Sequence, residues 1–243
     1  MKKHILSVLL VLFGYTANSQ ILISLLLGDK LNSDKLEFGL DGGVNITTIS
    51  GLEDADPFVA FNLGFYFDIK VFKKNPAWML NTGVIVKSTH GAKGLPVYSL
   101  NDVALDQSFK EGNIERRISY FNVPIEMKYL FKCNIYAKAG IMLGLRYNAY
   151  DEFQNSVEYN DDLKYVLDTK KKYHPIDAGA VAGIGYRFMK GNGMNLGIQG
   201  YMGFVDITID DSNSNEYNSG LYITVGIPIG KVKAKAAEAV PPK

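Results

Sequence analysis

The sequence predicts an all-β fold: an eight-stranded antiparallel up-and-down β-barrel able to span a membrane. Three observations carry the prediction. From Leu36 onward the chain repeats segments of ten or more residues that alternate apolar with polar or glycine, the period of two of a strand. The connections between these segments alternate between short and long. Glycine collects on the polar face of the segments and is nearly absent from the apolar face.

In chain order the segments are Leu36–Ile49, Phe58–Val71, Trp78–Ser88, Arg117–Phe131, Ile135–Asn148, Ile176–Phe188, Met194–Asp206 and Ser219–Gly230. The second places Phe61, Leu63, Phe65, Phe67, Ile69 and Val71 on one face and Asn62, Gly64, Tyr66, Asp68 and Lys70 on the other. The fourth sets Phe121, Val123, Ile125, Met127, Tyr129 and Phe131 against Asn122, Pro124, Glu126 and Lys128. The fifth opposes Ile135, Ala137, Ala139, Ile141, Leu143 and Leu145 to Tyr136, Lys138, Gly140, Gly144 and Arg146. The last carries Leu221, Ile223, Val225, Ile227 and Ile229 on one side. No helical periodicity of comparable length interrupts the series.

Residues 73–77, 132–134 and 189–193 read as tight turns. Residues 50–57, 89–116, 149–175 and 207–218 are rich in Asp, Asn, Ser and Gly and read as long loops. Short turns at one end and long loops at the other, with both termini on the short-turn side, is the layout of barrels that cross an outer membrane.

The composition agrees. The chain has 243 residues, 47% hydrophobic and 21% charged, with 26 Lys plus Arg against 25 Asp plus Glu, a size for one domain. A mean hydropathy of −0.01 and the lack of a long apolar run beyond residue 28 exclude a polytopic helical membrane protein. A near-neutral charge offers no basic field to collect phosphates, so nucleic acid is not an expected partner.

At the N-terminus, Lys2 and Lys3 precede the apolar stretch Ile5–Phe13, and Ala17-Asn18-Ser19 is a small-x-small cleavage pattern before Gln20. Residues 1–19 are read as an export signal, and 20–35 as an apolar segment lying at an interface or plugging a barrel mouth. Loss of Lys2 and Lys3 leaves 24 bases against 25 acids. Cys133 is the single cysteine, so no disulfide framework holds the fold. The tail 231–243, rich in Ala, Lys and Pro, is read as a flexible periplasmic end.

Periodicity alone leaves open whether the apolar face meets lipid or lines a carrier-like core. Glycine decides, because on a solvated outer face it would weaken the strands, whereas inside a narrow barrel small residues leave room for large polar ones. The polar face carries Glu37, Asp41, Asp68, Glu126 and Asp177 with Lys70, Lys87, Lys128, Lys138, Arg146 and Arg187, read as a charge-paired lumen network. Phe72, Trp78, Tyr129, Phe131, Tyr186 and Phe188 beside the short turns, and Tyr147 and Phe204 beside the long loops, are read as the two aromatic girdles.

The stretch Arg116–Phe131, RRISYFNVPIEMKYLF, followed by a short turn into IYAKAGIMLGLRYN, resembles the PorT-like outer-membrane β-barrel proteins of the Bacteroidetes, related in architecture to the OmpA transmembrane domain. The resemblance covers residues 36–230 and implies a cell outer membrane location. Its motifs are structural; some members are linked to gliding or protein secretion. The chain departs from the pattern in ending its last strand Ile227-Pro228-Ile229-Gly230 without a terminal aromatic, and a peptidoglycan-binding domain like that of OmpA is not expected.

No residue pattern points to catalysis. His174, near Asp168 and Asp177, has no nucleophilic serine placed with it, so a membrane-embedded hydrolase stays a minor alternative beside a secreted lipocalin-like carrier. Asp206, Asp210, Asp211, Asn213, Asn215 and Glu216 are oxygen donors of the type calcium accepts, but without the spacing of a calcium loop they read as a hydrated loop. The expectation is therefore a monomeric outer-membrane barrel, not an enzyme, with no cofactor or metal. Its partners would be outer-membrane lipid and a periplasmic or surface protein, the latter reached through the loops; an accessory role in secretion or gliding is the alternative.

Overall fold

The computed structural model describes residues 33, 35–52, 55–156, 163–188, 193–210 and 215–229. The proposed signal, the apolar segment up to residue 32 and the tail from residue 230 lie outside the described residues. Among the described residues nine strands form: β1 Leu36–Ser50, β2 Asp56–Lys70, β3 Trp78–Leu95, β4 Asn113–Leu130, β5 Ile135–Asn155, β6 Leu163–Asp168, β7 Ile176–Arg187, β8 Asn195–Gly203 and β9 Tyr217–Pro228. An α-helix, α1, spans Val103–Phe109. All pairings are antiparallel, and β1 pairs with both β2 and β9, so eight strands close a ring in the order β1-β2-β3-β4-β5-β7-β8-β9. β6 stands outside the ring, paired with the upper part of β5.

The eight-stranded up-and-down ring is the one the sequence predicts. The loop reading of 89–116 and 149–175 is corrected. β3 continues to Leu95, β4 begins at Asn113, β5 runs to Asn155, and β6 folds back on it, so 11 of the 28 residues of the first stretch and 13 of the 27 of the second are sheet.

The apolar face points outward. Ile141 is 43% and Ile184 65% exposed, while Glu126, between outward Ile125 and Met127, is fully buried. On β4 the outward apolar run from Phe121 to Phe131 covers roughly 33 Å of strand, which stands about 25 Å tall at the usual tilt, the height of a membrane's apolar core.

Four of the inward glycines are seats for tyrosines. A Cβ at Gly39 would overlap the ring of Tyr66, one at Gly179 that of Tyr201, and one at Gly185 or Gly197 that of Tyr136. Each large ring thus lies on the bare backbone of neighbouring strands, which is how so narrow a ring packs its interior. Gly185→Leu is expected to lower the unfolding free energy by about 1–3 kcal/mol through overpacking against Tyr136. Adding Tyr136→Ala should return part of that loss. A urea titration of both variants checks this, and an unchanged midpoint in Gly185→Leu would contradict the seat.

β2 and β3 part between the pairs Pro57–Ala92 and Leu63–Lys87. β1 side chains serve β3 there: Asn45 Nδ2 donates to Thr89 O at 2.7 Å, and Gly91 N donates to Thr47 Oγ1 at 3.0 Å. Buried amide and hydroxyl groups at 45 and 47 are explained by this backbone that no neighbouring strand satisfies. At the lower end the hairpin 132–134 is turned by Asn134 at φ 67, a left-handed position that asparagine tolerates.

Candidate functional site

Two polar regions can be built from the residues up: the lumen, and a ridge of sheet beyond the apolar band. In the lower lumen, Lys128 Nζ donates to Asp68 Oδ2 at 2.6 Å and lies 4.4 Å from the centre of the Tyr136 ring. Lys138 Nζ donates to Glu126 Oε2 at 2.9 Å, and Asn81 Nδ2 donates to Asp68 Oδ1 at 2.7 Å. Arg187 donates to Glu37, which also accepts from Tyr66 OH at 3.1 Å. Glu126 and Lys138 lie on the paired strands β4 and β5, Asp68 and Lys128 on β2 and β4 with β3 between, and Glu37 and Arg187 three strands apart on β1 and β7; all are nearly fully buried, which is tolerable only because each charge is paired. Asp41 faces Lys128 and Lys138 across a cavity of about 20 Å³, room for about one water.

Higher in the lumen the chemistry is neutral. Asp177 accepts from Asn218 Nδ2 at 2.8 Å and from Tyr201, and no base pairs with it among the described residues. His90 Nε2 shares a 2.6 Å hydrogen bond with Tyr222 OH, and Tyr120 and Tyr201 present their edges to its ring.

Three of the bases expected in the lumen lie elsewhere. The register shift between Ile85 and Ser88 adds a residue to β3 and turns Lys87 outward, where it lies 5.9 Å from the Phe61 ring centre. Lys70 is exposed at the short-turn end of β2. Arg146 sits at the lumen mouth and donates to the carbonyls of His174 at 3.2 Å and Tyr173 at 3.3 Å rather than to an acid. Among the described residues, Glu37, Asp41, Asp68 and Glu126 therefore face Lys128, Lys138 and Arg187 inside, while Asp177 meets no base.

On the outer face, Trp78 and Tyr129 lie tilted with ring centres 4.9 Å apart, and Tyr129 with Phe131 and Tyr186 with Phe188 meet edge to face at 4.8 and 5.1 Å, with Phe72 exposed beside them at the short-turn end. At the other end Tyr147 stacks on Phe121 at 4.6 Å, and Phe204 is exposed past the end of β8.

Beyond Tyr147, β3 to β6 form a ridge with its own core. Leu95, Ile114, Ile118, Phe153 and Ile207 are buried there, and α1 lays Phe109 on Phe153. The helix starts at Asp102, whose carboxylate accepts from Ala104 N at 2.9 Å, an N-cap. Under it, Arg116 grips Asp151 with two hydrogen bonds of 3.0 and 3.1 Å and reaches Glu216 at 3.4 Å. Tyr98 OH donates to Asp151 at 2.9 Å. Burial pushes the Glu216 carboxyl up against the opposing pull of Arg116. The outer surface of the ridge is a ladder in which Lys93 meets Glu115 at 3.3 Å, Arg117 meets Glu115 and Glu152, and Lys164 meets Glu152 at 3.7 Å. The acids of this ladder, Glu115 and Glu152, are buried, while Lys93 and Lys164 stand open to water, so the pairs add little stability but order the surface.

Sequence reading missed this ridge. Its signal was present in the fourth segment, whose alternation carries on backward through Ile118 and Ile114, but charge on both faces hid it. The residues of the hydrolase alternative are not gathered. His174 is exposed, Asp177 points into the lumen and Asp168 lies on β6, with no hydrogen bond or ion pair joining them among the described residues. Of the loop donors weighed for calcium, Asp206 instead accepts from Thr208 N at 3.0 Å and Glu216 N at 3.2 Å, and residues 211–214 lie outside the described residues. Burial raises the Asp206 carboxyl, but these hydrogen bonds outweigh it and hold the group below its ordinary value.

The family model described as outer membrane protein beta-barrel domain matches residues 29–209. Among solved structures the chain is similar to Ail, the attachment invasion locus protein of Yersinia pestis, at 10% identity and TM-score 0.41, over 81% of this chain and 99% of that one. It is similar to Neisserial surface protein A at 10% identity and TM-score 0.40, over 78% and 96%. OprG of Pseudomonas aeruginosa is similar at 12% identity and TM-score 0.36, over 80% and 93%. No curated protein matches the chain.

Proposed function

The chain belongs to the family of outer membrane protein beta-barrel domains and so sits in the outer membrane; from that premise we propose that it is a closed barrel acting as the stem of a surface-exposed contact platform. The observation that carries this reading is the ridge. β5 runs on from Tyr147 to Asn155, roughly 25 Å of strand beyond the girdle, as packed sheet with a buried Arg116–Asp151 pair rather than as loop. A barrel that only needed to stand in lipid would end at its girdle. The lumen, in this reading, is a structural charge network closed by side chains, not a conduit. The finer likeness to PorT-like proteins is supported by the Arg116–Phe131 pattern.

Orientation is tested with two cysteines. Val103 is 88% exposed on α1, and native Cys133 is exposed at a short turn on the opposite end. In intact cells a membrane-impermeant maleimide should label Val103→Cys in a Cys133→Ala background and leave Cys133 of the parent chain untouched until the membrane is opened. The reverse pattern would put the ridge in the periplasm and sink the platform reading. In planar bilayers the folded protein should show no steady conductance; an open ohmic pore would contradict the closed lumen.

A further inference from the structure

Among the described residues, β6 is bonded on one side only. Thr169 N donates to Ala149 O at 3.1 Å, one step past the pair Tyr150–Asp168. Alternation along an antiparallel ladder then makes Asp151–Leu167, Phe153–Tyr165 and Asn155–Leu163 the hydrogen-bonded pairs. The backbone groups of Lys164, Val166 and Asp168 therefore point away from β5, and among the described residues they make no backbone hydrogen bond on that side. Val166 is 57% exposed, with Lys164 and Asp168 exposed on either side of it. Tyr165 and Leu167 pack inward against the ridge core, which holds the strand in place.

We propose that this edge pairs with itself: a second copy of this chain docks antiparallel on β6, Val166 facing Val166, and Lys164 of each copy facing Asp168 of the other. Centred on Val166, the register joins only residues whose backbone groups already point outward, each pair exchanging both of its hydrogen bonds. It also sets both charge pairs opposite. Slipping four residues in either direction sets Lys164 against Lys164 or Asp168 against Asp168, and slipping two leaves each charge without an opposite. Exposed edges are normally guarded by short length and charge, and this one is both short and charged. Here the order of the charges makes the same chain's edge the strand they admit. The ion pairs Lys164–Glu152 at 3.7 Å and Lys170–Asp168 at 3.8 Å are loose and exposed, and they leave both charges at the edge.

The geometry also sets where the second copy stands. The two-fold axis relating antiparallel edge strands is perpendicular to the sheet, and the sheet continues the barrel wall, so that axis lies in the membrane plane. The second barrel is therefore inverted, and the pairing joins two facing membranes rather than neighbours within one. This rests on the ridge lying outside the cell, as proposed above.

Phosphatidylcholine vesicles carrying the folded protein test it, with tethering followed by light scattering and folding of each variant checked by the shift in electrophoretic migration on heating. Wild-type vesicles are expected to tether. Val166→Pro, which removes an outward N–H and leaves the β5–β6 bonds intact, is expected to abolish tethering. Lys164→Asp and Asp168→Lys should each fail to tether alone, while a mixture of the two vesicle populations should tether, because every facing pair is again Lys with Asp. Should Val166→Pro fold poorly, the charge-swap mixture carries the test by itself. Tethering unchanged in the folded single variants, no tethering by folded wild type, or no recovery in the mixture would overturn the proposal. The maleimide labelling reports separately on whether the ridge is outside.

Discussion

Asp68→Ala is expected to cost about 3–5 kcal/mol of unfolding free energy, because it strands a buried ammonium. The Lys128 side chain is only 4% exposed, and its single salt bridge is to Asp68, whose side chain is fully buried. Only the Tyr136 ring and, across the small cavity, Asp41 would remain against the charge. Asn81 would lose its acceptor as well. Replacing the pair together, Asp68→Leu with Lys128→Met, should recover most of the loss, since a buried ion pair and a well-packed apolar pair of similar volume are close in stability. Urea unfolding followed by the single tryptophan, Trp78 at the lower girdle, measures both. A single variant as stable as the parent would mean that water reaches Lys128 and that the lumen is open at that level.

The second large effect is on the opposite face. Ile141 points outward near the middle of the apolar band, and Ile141→Arg should cost about 2–4 kcal/mol in a bilayer, whereas Leu145→Arg, beside the Phe121–Tyr147 girdle, should cost about 0–1 kcal/mol. Refolding into lipid vesicles at graded urea separates the two. Equal costs would mean that the band is misplaced along the strands.

Much of the ring was legible in the sequence. Alternation of period two marks any strand with one apolar and one polar face, and here it ran through eight segments long enough to cross a membrane. The identity of the outward face was legible too, because glycine on the polar side has a packing use inside a narrow ring, where large side chains such as Tyr136 lie over Gly185 and Gly197. The ridge was not legible. Above the band the outer face meets water, so Lys93, Glu115, Arg117 and Glu152 replace apolar residues there, while Arg116 and Asp151 sit on the inner face. With charge on both faces the hydrophobic period disappears although the strand continues, and turn-forming residues in between complete the appearance of a loop.

By itself, then, the sequence determined the strand period, the ring of eight and the side that faces outward, because each follows from which residue types share a face within one segment. Which acid meets which base was decided only by the tertiary structure. Asp68 and Lys128 lie on β2 and β4, and Glu37 and Arg187 on β1 and β7; strands separated in the ring are brought together by the tilt and stagger of closure, which no single segment encodes. The displacement of Lys87 has the same origin, since one extra residue in β3 reverses its facing and only the pairing with the neighbouring strands β2 and β4 reveals the bulge.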